Sequence, residues 1–387
     1  MNREFHSQYP FALEDSVTQA TAIDFLVRKR LDPPHSWSQL IEIDDDWMRI
    51  SLLAQSVITA YKDQARVGAK RDMGGYRYWL RNHAFDFFKK RLNDMHELCL
   101  VSSGMTLPHV ARFPSGSWSL QFNFTLRKPY ISRDDTDLHI LDNPIKKEWV
   151  FKVPYIAPSQ WKGALRSAMV QELVSKLDER QIDRDKFTEE RLQLYRLFGN
   201  EKDGASKFLD RALARHILEA MPEDEQAKQE WIKNLEDKTK EVGFDFESEL
   251  VRNGYRQRDI EGFQGSLHFY PTYFSQIGLE VINPHDRRYG AGEQPIYFEC
   301  VPKDADGIFA LFCMPICDPD AGDEAAIHQA EKDLEAAAKG IRAMMTRYGF
   351  GAKTSSGFGV AEINAVAATI KPEEFRKHWQ TAWEEST

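Results

Sequence analysis

The segment GFGAKTSSGFG, residues 349–359, is the stretch from which the fold and a binding site are predicted together. It follows a helical pattern over residues 325–348 and leads into a strand-like segment that begins at Val360. Glycine lacks a Cβ atom, so such a loop lets its backbone approach a ligand closely. One cation and three hydroxyl groups accompany the glycines, a combination that suits a phosphate. The predicted binding residues of this glycine loop are Gly349, Gly351, Lys353, Thr354, Ser355, Ser356, Gly357 and Gly359.

The order of elements around the glycine loop limits what it can be. A P-loop follows a strand, reads GxxxxGK[ST] and opens a helix. Here a helix precedes the loop and a strand follows it, which excludes a P-loop nucleotide hydrolase. The alternative to phosphate contact is a surface turn without a ligand, because most glycine-rich loops are turns.

Period-two alternation marks the strands. Apolar and polar residues alternate over residues 117–127, which predicts a strand with one buried face. Further strands are predicted over residues 149–153, 263–274, 296–301, 308–316 and 360–367. Helical spacing predominates over residues 44–100 and 325–348. The predicted fold class is therefore α+β.

A second anion site is predicted where PYIAPSQWKGALRSA, residues 154–168, opens a helix. We expect Ser159 to be the N-cap. Lys162, Gly163 and Arg166 then fall in the first turns, beside N–H groups that attract anions. The alternative is that these cations are solvated surface charges on an amphipathic helix. Residues 65–81 also mix cations with aromatic rings, and they can either hold nucleic acid or form a basic surface over a core.

Composition and charge limit the classes of protein to which this chain can belong. The 387 residues carry a net charge of -9, of which residues 171–250 hold 14 Lys and Arg against 21 Asp and Glu. The rest of the chain is almost neutral, so the net charge does not exclude nucleic acid. We predict a helical N-terminal region over residues 1–110, a sheet domain over residues 111–370 with a charged helical insertion at about 176–250, and a C-terminal helix over residues 371–387.

The cysteines and the hydropathy pattern predict the compartment. None of the four cysteines forms a CxxC pair, which predicts reduced thiols rather than a zinc site. No run of about 18 apolar residues occurs. We therefore expect a cytoplasmic protein without a membrane partner.

Three segments in this order resemble the RAMP superfamily of CRISPR-associated proteins, in particular the backbone subunits of type III effector complexes. They are LDNPI (residues 141–145), PYIAPSQWKGALRSA (154–168) and GFGAKTSSGFGVAEI (349–363). The resemblance implies a modified RRM or ferredoxin-like antiparallel sheet with helices on one face. It also implies that CRISPR RNA, target RNA and other effector subunits are the partners. Lys162, Arg166 and residues 353–359 would then contact the RNA backbone.

The resemblance also assigns a candidate catalytic residue. Asp142 matches the aspartate of the family's D-[NS]-P-[IV] element, which cuts target RNA with a divalent cation such as Mg²⁺ while the 2′-hydroxyl of the RNA attacks. The alternative is a non-catalytic capping or adaptor subunit, because Asp-Asn-Pro is also a good turn sequence. A third possibility is a metal-independent endoribonuclease that processes precursor guide RNA, with His109 or His139 as general acid or base. The chain departs from the family at residues 128–140, which lack a glycine, and at Pro158.

Overall fold

An antiparallel sheet lies at the centre of the computed structural model, which describes residues 16–28, 45–58, 60–67, 74–98, 107–134, 139–200, 203–218, 220–256, 262–283, 296–315 and 322–384. The strands of these residues are β1 (Trp118–Leu126), β2 (Tyr155–Ile156), β3 (Leu267–Phe269), β4 (Thr272–Tyr273), β5 (Gly278–Ile282), β6 (Ile296–Cys300), β7 (Asp306–Cys313), β8 (Ala361–Ile363) and β9 (Thr369–Lys371). The main sheet has the order β3-β7-β1-β8, and β9 also pairs with β1. Two separate ribbons, β2 with β4 and β5 with β6, complete the strand pairing.

The helices fall into four groups along the chain. The N-terminal region contains α1 (Ser16–Arg28), α2 (Asp46–Leu53), α3 (Lys62–Val67), α4 (Gly75–Asn82) and α5 (Ala84–Leu98). After β2 comes α6 (Pro158–Asp178), and the insertion contains α7 (Arg184–Phe198), α8 (Asp203–Ile217) and α9 (Glu225–Arg252). The last two helices are α10 (Gly322–Ala343), which continues into a π-turn at Met344–Tyr348, and α11 (Arg376–Glu384). The predicted α+β fold with a helical N-terminal region is confirmed.

Strand β1 shows why the sequence folds this way. Its apolar residues at every second position are buried, whereas Asn123 between them is exposed. Phe122 stacks on Phe309 of β7 with ring centroids 5.1 Å apart. Trp161 of α6 packs edge-on against Phe309 at 5.0 Å. Trp379 of α11 also packs on Phe122, with ring centroids 5.6 Å apart, so the alternating pattern places one face of the sheet against α6 and α11.

Three of the predicted strands are wrong in extent or kind. Residues 149–151 form a turn rather than a strand, because the Glu148 carboxylate accepts the backbone N–H groups of Val150 and Phe151. The segment 263–274 contains two short strands instead of one. The segment 360–367 leaves the sheet after Ile363, where the Asn364 side chain caps a 3-10 turn.

The N-terminal helices share the hydrophobic core of the sheet domain. Trp79 and Phe88 belong to the same cluster of buried residues as Phe122 of β1 and Trp161 of α6. The boundary near residue 110 stays a prediction. Among the described residues, no helix has the length and apolar character needed to cross a membrane.

Candidate functional site

The glycine loop depends on left-handed backbone conformations. Gly349, Gly351, Gly357 and Gly359 have φ angles of 74°, 90°, 82° and 69°. A Cβ atom on Gly359 would lie 1.9 Å from the Phe350 carbonyl oxygen, and on Gly351 it would lie 2.5 Å from that of Ile131. On Gly349 it would lie 2.5 Å from the carbonyl oxygen of Phe358. Three of the four glycines are thus required by close contacts with their own chain, and their contact with a ligand stays a prediction.

Hydrogen bonds attach the glycine loop to the segment after β1. The Gly359 N–H donates to the Pro129 carbonyl at 2.9 Å, and the Ala352 N–H donates to that of Ile131 at 2.7 Å. Lys353, Ser355 and Ser356 are left exposed at the surface of the loop. The loop is therefore a fixed support for one ammonium and two exposed serine residues.

Lys353 connects the glycine loop to the segment that carries Asp142. Its Nζ lies 5.0 Å from the centre of the Phe298 ring in β6. Phe298 forms a parallel bridge with Asn143, the residue after Asp142. The structure thus brings two of the three predicted segments into contact with Phe298 of β6.

The start of α6 differs from the expectation. The helix begins at Pro158, and Ala157 occupies the N-cap position, so the prediction of Ser159 as N-cap is wrong. Proline suits the first helical position because its missing N–H is not needed there. The Gln160 side chain accepts the Ala157 N–H at 3.0 Å. Ser159 is consequently an exposed residue of the first turn.

Arg166 has partners inside the protein. Its Nη2 atom donates to the carbonyl oxygens of Phe198, Gly199 and Asn200 at 3.0, 3.2 and 3.1 Å. These carbonyls end α7, where a cation is stabilising. This geometry favours the structural interpretation of Arg166, and its RNA contact stays a prediction.

Gly163 is more accessible than Arg166, whereas Lys162 and Arg166 are both partly buried. Gly163 is exposed and Lys162 is half-exposed. Partial burial, together with the nearby Lys162 ammonium, lowers the pKa of His268 below its usual value. Lys162 therefore has a partly exposed imidazole beside it on β3.

Asp142 forms ion pairs with the N-terminal region. Its Oδ1 atom accepts a hydrogen bond from Arg66 Nη2 at 2.8 Å and lies 3.8 Å from Lys62 Nζ. The Arg66 side chain is only 10% exposed, and its Nε donates to the Ile140 carbonyl at 2.7 Å. Arg66, in the basic and aromatic segment 65–81, therefore binds groups of the protein itself. Residues 68–73 of that segment lie outside the described part.

These residues do not fit a resident divalent cation. Asp142 faces two cationic side chains, both of which oppose the binding of another positive charge. Within the described residues, no group of three or more His, Cys, Asp or Glu side chains could hold a metal ion. No catalytic step through Mg²⁺ is derived from this arrangement.

Four buried side chains form what is here called the Glu299 cluster: Glu299, Lys147, His139 and Tyr76. The cluster contacts residues 139–147, here called the Asp142 segment. Glu299 Oε2 accepts the Ile145 N–H at 2.9 Å and the Lys147 ammonium. Glu299 Oε1 accepts the Tyr76 hydroxyl and lies 3.2 Å from His139 Nε2. A single carboxylate thus holds the start and the end of residues 139–147 and joins them to α4.

The Glu299 cluster shifts the pKa values of its members. Burial alone would raise the pKa of Glu299, but His139, the Lys147 ammonium and the Tyr76 hydroxyl together lower it to about 2. Burial lowers the pKa of His139 to about 4, and its Nδ1 accepts the Leu141 N–H at 3.2 Å. Burial and then the charge and hydrogen bond of Glu299 raise the pKa of Tyr76. The carboxylate is therefore ionised at neutral pH and the imidazole is neutral.

Sequence reasoning missed Glu299 and the pairing of Arg66. The available signal for Glu299 was a lone carboxylate in the apolar run of residues 296–301. A charge within such a strand calls for a buried partner. No comparable local signal links Arg66 to Asp142.

Comparison with known proteins follows from this architecture. The fold and site define an α+β protein with an antiparallel main sheet, in which the glycine loop and the aspartate segment both contact Phe298 of β6. A family model described as the RAMP superfamily matches residues 115–362, and the chain belongs to that superfamily. No curated protein matches the chain.

Similar solved structures include three CRISPR proteins. A type III-B Cmr-beta structure bound to cognate target RNA is 14% identical, with 91% of this chain and 97% of that chain covered and a TM-score of 0.37. Cmr6 from Pyrococcus furiosus is 16% identical, with 64% and 98% covered and a TM-score of 0.29. A chain of a CRISPR RNA-guided surveillance complex, pre-nicking, is 11% identical, with 62% and 74% covered and a TM-score of 0.27. Likeness of this degree assigns no role to individual residues.

Proposed function

We propose that this chain is a guide-RNA-binding subunit of a type III-like CRISPR effector ribonucleoprotein. The observation that carries the proposal is the exposed set of Lys353, Ser355 and Ser356 on a loop whose shape is fixed by its glycines. Membership of the RAMP superfamily supports the same function. The ammonium and the hydroxyl groups contact phosphate oxygens, so binding depends little on the base sequence of the guide.

Lys162 and Ser159 form the second proposed contact. They lie in the first turns of α6, at the positive end of the helix dipole. A phosphate there interacts with the helix dipole and with the Lys162 ammonium. Because Arg166 already bonds the end of α7, we place it among the residues that shape this surface.

A variant of the glycine loop tests the proposal. Replacing Lys353, Ser355 and Ser356 together by alanine should weaken binding of guide RNA. The slope of log affinity against log salt should also fall by about 1, because Lys353 is the one charged side chain of the three. Lys240→Ala is the matched control, since Lys240 is 77% exposed on the acidic insertion. Unchanged affinity and slope in the triple variant would contradict the proposed contact.

Two roles of Asp142 remain candidates. The ion pairs with Arg66 and Lys62 favour the non-catalytic subunit, because they account for Asp142 as a link between α3 and the sheet domain. Metal-dependent cutting of target RNA is the other candidate, and the 67% exposure of the Asp142 side chain leaves it accessible to RNA.

The assembled complex distinguishes these roles. For the non-catalytic subunit, Asp142→Asn and Arg66→Met both lower the melting temperature and leave Mg²⁺-dependent cutting unchanged. Loss of one cutting position in Asp142→Asn, with Arg66→Met still cutting there, would establish the enzyme. Processing of precursor guide RNA by the isolated protein in EDTA would have to use His109, which is exposed, because the His139 side chain is buried in the Glu299 cluster.

A further inference from the structure

Trp149 stands at the tip of a turn and is 84% exposed. The other tryptophans in the described ranges are buried or half-buried. An indole ring has a large apolar surface, and proteins normally bury most of it. The adjacent Val150 is also 66% exposed. The turn therefore displays an apolar tip to solvent.

The turn of residues 148–152 is firmly built. The Glu148 N–H donates to the Val153 carbonyl at 2.8 Å, and the Lys152 N–H donates to the Glu148 carbonyl at 3.0 Å. Glu148 Oε2 accepts the N–H groups of Val150 at 2.8 Å and Phe151 at 2.6 Å. Lys152 adopts a left-handed φ of 59°. Because the turn is ordered in advance, little conformational entropy is lost when Trp149 contacts a ligand.

A cation accompanies the exposed ring. Lys152 Nζ lies 4.7 Å from the centre of the Trp149 ring. An aromatic face with a neighbouring cation is the combination that binds single-stranded nucleic acid, since the ring stacks on a base and the cation attracts the backbone. A docking surface for another protein would not require the ammonium.

The base of the turn is joined to the Asp142 segment through the Glu299 cluster. Lys147 pairs with Pro154 across the turn, and its ammonium binds Glu299 in the buried cluster. Glu299 also holds Ile145, three residues after Asp142. The position of Trp149 relative to the Asp142 segment is therefore fixed by the fold.

We propose that Trp149 is a base-stacking residue that binds an unpaired nucleobase of RNA beside the Asp142 segment, with Lys152 near the adjoining phosphate. This inference rests on the proposed function. Every base has a π-face, so the contact tolerates any sequence. Duplex RNA hides these faces, so the ligand is a single-stranded segment.

The test uses Trp149→Ala in the full chain, with Trp149→Phe to retain a ring. Phe244→Ala is the matched control, because Phe244 is an exposed aromatic residue, 71% accessible, on the acidic helix α9. The probes are a uridine oligomer and an oligomer of the same length with abasic nucleotides. Trp149→Ala should bind the uridine oligomer at least about fivefold more weakly than the unaltered chain, the lower end of one base–aromatic stack.

The controls fix the interpretation. Trp149→Phe should retain most of the affinity and Phe244→Ala all of it, and the abasic oligomer should bind equally to the unaltered chain and to Trp149→Ala. An equal loss for both oligomers, or none for the uridine oligomer, overturns the inference. Unchanged RNA binding with loss of co-purifying subunits also overturns it and assigns Trp149 to a protein interface. If the unaltered chain binds no RNA, the proposed function itself fails.

Discussion

Glu299 is the individual residue on which the Asp142 segment depends most. Its carboxylate is fully buried and has three donors, from Tyr76, Ile145 and Lys147. Breaking a buried ion pair by removing one charge leaves the other without compensation and typically costs about 3–5 kcal/mol. The stability of residues 139–147 should therefore be sensitive to the charge at position 299.

Glu299→Gln should lower the free energy of unfolding by about 3 kcal/mol, because it leaves the Lys147 ammonium buried without a countercharge. Tyr76→Phe removes one hydrogen bond to the same carboxylate and should cost less, about 1–2 kcal/mol. Urea unfolding of the two variants measures both values. Equal losses would show that the charge of Glu299 contributes little.

His139 predicts a dependence of stability on pH. Its pKa is about 4 in the folded protein against 6.5 in the absence of the fold. Between these values the unfolded chain binds more protons, so stability falls as the pH is lowered from 6.5 to 4. The loss attributable to this one residue approaches about 3 kcal/mol, at 1.36 kcal/mol per pKa unit.

His139→Asn should flatten the decrease of stability between pH 6.5 and 4, because asparagine can accept the Leu141 N–H and does not titrate. Denaturant unfolding at several pH values measures the slope. A variant with the same slope as the unaltered chain would mean that the imidazole charges in the folded state without cost. Glu299 contributes a separate loss at lower pH, between 4.5 and about 2.

The glycine loop is the element in which backbone conformation matters most. Gly359→Ala should destabilise the fold by several kcal/mol, because its Cβ atom would overlap the Phe350 carbonyl, with a separation of 1.9 Å. Gly357 has a similar φ of 82°, but a Cβ atom there meets no described atom within 4 Å. Gly357→Asn should therefore be nearly neutral, since asparagine tolerates the left-handed region.

The melting temperatures of the two glycine variants check this prediction. The guide RNA affinity of the same variants then shows how much binding depends on the shape of the loop, since both variants keep Lys353. Gly357→Asn should melt close to the unaltered chain, while Gly359→Ala should melt well below it. Similar melting temperatures would show that the loop can shift without affecting the core.

The whole molecule is joined across the predicted boundary near residue 110. Arg66 binds Ile140 and Asp142, and Tyr76 binds Glu299. A chain that begins at residue 107 lacks both donors and part of the shared core, so it should lose cooperative unfolding. Calorimetry measures the cooperativity of unfolding. The full chain with Arg66→Ala and Tyr76→Phe is the control, because it lacks the polar contacts but keeps the shared core. A sharp transition near that of the full chain would show that the sheet domain folds independently.

Local patterns predict part of this molecule and distant contacts account for the rest. The alternation in β1 and the helical spacing of α10 are periodic within one element, so the sequence predicts both. The turn at Trp149 was mistaken for a strand because its apolar residues suit one, while the Glu148 carboxylate bends the backbone. Arg66 and Asp142 are 76 residues apart, and no period in the sequence reports such a pair.

The Glu299 cluster also has a consequence for synthesis of the chain on the ribosome. Tyr76 and Glu299 are separated by 223 residues, and Lys147 and Glu299 by 152. A nascent chain that has not yet reached residue 299 carries Lys147 and Tyr76 without their shared acceptor. Contacts of such long sequence separation form late, because the intervening loop must first close. The Asp142 segment therefore takes its final shape only after residue 299 has been synthesised, and a product that ends before that residue cannot assemble it.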